Sequence, residues 1–141
     1  MGRGLSASCQ LEDEDSRTAI YSYVGDDATL PEGRRAELRG QPGLLSIQKR
    51  SLERASKRVK KVRAEGGRTH TVSEPVYHTP DVIGHYEDGD IAVDLCGADK
   101  DLLAGRDAGQ PLPRIAWNVL LLIYQHYMRH GKLPEHVEFE Q

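Results

Sequence analysis

Asp81, Asp90 and Asp94 lie close together in TPDVIGHYEDGDIAVDLCG, residues 79–97. Carboxylates on adjacent strands are what two-metal phosphodiester chemistry uses to hold Mg²⁺. The lysine that would position the attacking water is missing, because Leu95 and Cys96 follow Asp94. A metal-dependent phosphodiesterase or nuclease built on these three aspartates is therefore the alternative reading, and a solvated hairpin with charged turns the favoured one. His126 and His130 stand four apart in a helical pattern, so both could meet one ion, with His136 close behind. No HExxH sequence accompanies them, and packing or capping roles are the commoner use of such a pair. Cys96 ends an expected strand, where a small apolar core residue is the ordinary reading. The sequence contains no GxSxG stretch, no dinucleotide-binding glycine pattern and no phosphate-binding loop. It therefore calls for no cofactor, and an enzyme is the less favoured class.

The other chemistry on offer is electrostatic. QKRSLERASKRVKKVRAEGGR, residues 48–68, is dense in cations within a chain of net charge −3. Residues 44–68 sum to +7, residues 81–107 to −6 and the remainder to −4. Such segregation assigns the two blocks to different surfaces. Leu45, Leu52, Ala55, Val59 and Val62 recur at helical spacing, which predicts a helix over 44–65 closed by Gly66 and Gly67. Arg50, Arg54, Lys57, Arg58 and Lys61 then fall on the opposite face and form the expected partner-binding set. Five cations on one face suit phosphates or an acidic protein groove equally. Base reading is less favoured, because Asn, Gln and aromatic residues are sparse among them. The spacing of seven also permits a coiled-coil homodimer.

These residues need a scaffold, and 141 residues are enough for one hydrophobic core. Residues 1–17 are small, polar and acidic and read as a flexible tail, leaving 18–141 as one α+β domain. TAIYSYV at 18–24 alternates as a strand should, and Gly25, Asp26 and Asp27 mark its end. Residues 30–40 read as a short helix, with Pro31 at its start and Gly40 at its stop. Strands are expected over 69–78, 82–86 and 91–96, the last two joined by an Asp88-Gly89 turn, and HVEFE at 136–140 could add another. Residues 98–113 read as a short helical turn and a loop. Pro113 and Gly131 bracket a strongly apolar helix over 113–130, whose Trp117, Leu120, Ile123, Tyr124 and Tyr127 are expected to centre the core. The whole is a small, mainly antiparallel sheet packed against two long helices.

The longest apolar run, residues 116–128, is shorter than the ~20 residues a membrane-spanning helix needs, so no membrane partner is expected. The N-terminus lacks an apolar signal segment and the two cysteines give little support to a disulfide framework, which favours a cytoplasmic protein. The expected function is that of a small non-enzymatic regulator, such as a phage or mobile-element inhibitor of a nucleic-acid machine. It would dock a protein or ribonucleoprotein through its basic helix, with direct nucleic-acid binding as a further alternative.

Overall fold

The computed structural model describes the backbone of residues 4–56, 61–63, 69–71 and 80–140, and the side chains of 4–53 and 80–140. Its architecture is α+β. Strands β1 (Leu5–Glu14), β2 (Thr18–Asp27), β3 (Gly43–Gln48), β6 (Ile91–Asp94) and β7 (His136–Glu140) form a sheet of order β6-β3-β2-β1-β7, antiparallel throughout. Strands β4 (Lys61–Arg63) and β5 (Thr69–Thr71) pair with each other in a separate ladder. The helices are α1 (Glu32–Arg39), α2 (Lys49–Ser56), α3 (Val82–Glu87), α4 (Gly97–Ala104) and α5 (Arg114–His130).

The core follows from alternation. Along β2 every second residue is buried, which places Ala19, Tyr21 and Tyr23 inward and Ile20, Ser22 and Val24 outward. Leu45 and Ile47 of β3 continue the inward face, and α5 covers it with Ile115, Val119, Leu120, Ile123 and Tyr124. Each fully buried aliphatic or aromatic side chain contributes about 1.5 to 3 kcal/mol. Tyrosines can face inward because their hydroxyls are satisfied there: Tyr21 donates to the Pro134 carbonyl at 2.6 Å. Gly43 permits the tight meeting of β3 with Tyr23 and the Cys96 backbone, which a Cβ at this position would block. Helix α5 begins after Pro113 and ends at Gly131, whose φ of 71° is the left-handed closing conformation glycine favours.

Several expectations are corrected. Residues 1–17 are not a flexible tail, because Leu5–Glu14 is an interior strand lying between β2 and β7. Leu5, Ala7 and Cys9 point into the core, and the small size of Ala7 and Cys9 hides the alternation in the sequence. The helix over 44–65 does not form as one element. Leu45 and Ile47 alternate inward from β3, α2 starts only at Lys49, and residues 61–63 are again strand. The seven-residue step from Leu45 to Leu52 thus links a strand position to a helix position, both buried. Residues 82–86 form α3 instead of a strand, since Asp81 accepts the Gly84 N–H at 2.9 Å and starts a helix there. The short helical turn expected at the start of 98–113 is the two-turn helix α4, Gly97–Ala104. Trp117, expected at the centre of the core, is 43% exposed. Of the strand expected over 69–78, Thr69–Thr71 is observed and 72–78 lie outside the described residues.

Candidate functional site

The acidic stretch is spent on architecture. Asp81 caps α3, and Asp101 meets Arg34 at 3.2 Å. Asp107 is buried at the start of α5, accepting the Arg114 backbone N–H at 2.8 Å and its Nε at 2.8 Å. Asp99, fully buried on α4, accepts the Ala116 N–H at 3.0 Å and the Tyr23 hydroxyl at 2.5 Å. Two carboxylates from outside α5 therefore serve its first-turn N–H groups, where the helix dipole favours negative charge. Burial pushes the Asp99 carboxyl up to about 6, against the opposing pull of Tyr23 and the α5 amides. Its Oδ1 makes no well-formed hydrogen bond among the described residues. The Tyr23 hydroxyl, whose proton burial holds more tightly still, accepts the Cys96 N–H at 3.1 Å. One polar chain thus ties β2, α4 and α5 together.

A second polar cluster joins β3, α2, α3 and β6. The Arg50 Nε donates to Asp90 Oδ1 at 2.7 Å, and the Asp90 backbone accepts the Gln48 N–H and donates to the His85 carbonyl. The Asp90 side chain is 0% exposed, whereas Arg50 is 64% exposed. Beside it Ser51 donates to the Gln48 carbonyl at 2.7 Å, which leaves the Tyr124 hydroxyl to donate to Ser51 Oγ at 2.6 Å. The His85 ring stacks on Tyr124 with centroids 5.3 Å apart. Ser51 is buried with both neighbours engaged, so the cluster is a latch between α2 and α5 and offers no accessible nucleophile.

Asp81, Asp90 and Asp94 are therefore placed in three different settings: a helix cap, a buried ion pair and an exposed position on the outward side of β6. Among the described residues no three His, Cys, Asp or Glu side chains are grouped to hold a metal ion. His126 and His130 do lie together, with ring centroids 4.5 Å apart. They line a groove of about 290 Å³ with His136, but His126 Nδ1 faces the Lys132 carbonyl at 3.0 Å and His136 faces Glu138 at 2.9 Å. Cys9 and Cys96 are both buried and unpaired with each other, and burial lifts their thiols to about 12 and about 11. Neither is a thiolate at neutral pH.

Of the expected basic docking set, Arg50 and Arg54 lie on α2 and Lys61 on β4, opposite Thr71. Lys57 and Arg58 lie outside the described residues. The set therefore spans a helix and a hairpin strand, not one helix face. What sequence reasoning missed is the outward face of the large sheet. None of its five strands contains a lysine or arginine, while together they hold Glu12, Asp13, Glu14, Asp26, Asp27, Asp94, Glu138 and Glu140. Of these only Asp27 is buried, on Arg106 at 2.8 Å. On that face Ser8, Gln10, Leu44, Ala92 and Glu138 are exposed, while Ile20, Ser22 and Val24 are half-buried and Arg35 of α1 reaches Asp26 at its corner. The signal was legible as the absence of cations from every alternating segment.

No family model matches the chain, and no curated protein or solved structure matches it either. No helix among the described residues is long and apolar enough to cross a membrane.

Proposed function

We propose that this chain is a small non-enzymatic binding protein that docks an anionic macromolecular surface, a protein or ribonucleoprotein, through the cations of residues 49–68. One contrast supports the reading. Five of the eight carboxylates in residues 81–107 are consumed by caps and ion pairs within the fold, whereas the sequence packs nine Lys/Arg into a segment whose later part forms a ladder separate from the main sheet. Lys49 and Arg50 have internal roles, on Glu14 at 2.7 Å and on Asp90. The docking set of this proposal is Arg54, Lys57, Arg58 and Lys61. A regulator or inhibitor of a nucleic-acid machine, including one carried by a phage or mobile element, is the kind of protein this describes, and its setting would be cytoplasmic.

The test is a quadruple reversal of Arg54, Lys57, Arg58 and Lys61 to glutamate, followed by affinity capture from the native host with mass spectrometry and nucleic-acid staining. Capture is expected to be lost while the thermal unfolding midpoint stays within a few degrees of the parent. A folded variant that captures the same partner to the same extent would overturn the reading. If the captured species is nucleic acid alone, its affinity should fall steeply with salt as condensed counterions compete.

A further inference from the structure

We propose that the outward face of the five-stranded sheet is a docking surface for a cationic segment, and that its occupant is the basic hairpin of a second copy of this chain. The proposal uses some of the same cations as the reading above but does not depend on that partner existing.

The face has the shape and charge of a receiver. Register aligns its outward residues into rows: Glu140, Ser6 and Asp26; Glu138, Ser8 and Val24; and His136, Gln10, Ser22, Leu44 and Asp94. Serines and Ala92 make much of the floor low, and Leu44, 48% exposed near its middle, gives an incoming chain an apolar anchor. Over β7, β1 and β2 the floor deepens into a groove of about 540 Å³, whose acidic lining is Asp26, Glu138 and Glu140. Arg39 also lines it but is held by Glu32 at 2.9 Å, and Asp26 is held by Arg35 at 2.7 Å. Asp94 and Glu140 make no ion pair among the described residues, and with Glu138 they lie on the two edge strands. A like-charged edge discourages strand-to-strand pairing between copies, so the face and not the edge is left to associate.

The chain itself carries the complement. Lys61 and Arg63 occupy alternate positions of β4, which share one side of a ladder, opposite Thr71 and Thr69. Strands β4 and β5 pair in a ladder of their own, outside the large sheet. An arrangement in which each copy offers its hairpin and receives the other's is isologous and closes as a two-fold dimer. It satisfies two cationic and two acidic surfaces at once.

Sedimentation of the full chain tests this. The wild-type protein is expected to be dimeric in low salt and to shift to monomer at about 0.5 M salt, where screening acts within a few ångströms. Glu138→Lys with Glu140→Lys, and separately Lys61→Glu with Arg63→Glu, should each give a monomer. An equal mixture of the two should restore the dimer, because in the mixed pair both contacts are again of opposite charge. A wild-type chain that is monomeric at every concentration in low salt would overturn the proposal without reference to any variant. So would a dimer that survives either double substitution, or folded variants that fail to recombine. Host partner capture retained alongside a monomeric wild type would separate failure of this proposal from failure of the preceding one.

Discussion

Asp99 shows how a single buried carboxylate sets a measurable property. Its folded value of about 6 lies above the ordinary 3.8, so between these values the folded protein holds the proton more tightly than the unfolded chain. Its contribution to stability is therefore full below about pH 4 and lost as pH rises through about 6. Asp99→Asn keeps an oxygen for the Ala116 N–H and the Tyr23 hydroxyl but removes the titration. The stability difference between variant and parent, from denaturant unfolding at a series of pH values, should change by up to about 3 kcal/mol across that window, in favour of asparagine at high pH. A pH-independent difference would show that Asp99 does not titrate there. At the neighbouring cluster, Arg50→Ala removes one hydrogen-bond donor from a fully buried Asp90 and should cost about 1 to 3 kcal/mol, although the arginine itself is exposed. Trp117→Ser, by contrast, should stay within about 0.5 kcal/mol of the parent, as for an exposed position.

At the level of elements, the clearest prediction concerns β1. Deleting residues 1–14 should abolish cooperative folding, because it strips Leu5, Ala7 and Cys9 from the core and leaves β2 and β7 unpaired on one side. Circular dichroism and thermal unfolding would read this directly, and a truncated chain with an unchanged melting transition would contradict the placement of β1. The elements legible in the sequence were those whose own residues decide their structure. Helix α5 carries its start and stop in Pro113 and Gly131, and β2 alternates buried with half-buried positions, with Tyr21 and Tyr23 on its inner face. Elsewhere the decisive partners are distant. Residues 82–87 become helix because Asp81 caps them and Val82 is buried, although VIGHY has strand-like composition. The run from Leu44 divides into strand and helix because β2 and β6 pair with its first part while Ser51 latches its second to Tyr124. The candidate site divides similarly: the basic segment was visible as composition, but the partners of Asp90 and Asp99 lie 40 and 76 residues away and only folding brings them together.

Across the whole molecule, charge is sorted by structural layer more than by position along the chain. The acidic block expected to form an exposed counter-surface is largely turned inward to helix ends and arginines, while the strands, none of which holds a lysine or arginine of its own, assemble into an acidic sheet. If both proposals hold, one basic segment has two acidic claimants, a macromolecular partner and the sheet of a second copy. Two occupants of one segment exclude each other, and linkage requires the antagonism to be reciprocal: partner binding must weaken self-association by the same factor that self-association weakens partner binding. Titrating a polyanion such as heparin into the dimer at low salt should therefore yield monomers bound to polyanion, and raising the protein concentration should reduce the apparent affinity for it. The Glu138→Lys, Glu140→Lys variant, monomeric and with its hairpin unaltered, should lose that concentration dependence. Sedimentation with a labelled polyanion reads all three outcomes, and a ternary complex of intact dimer with polyanion on the hairpins would show that the two surfaces do not compete.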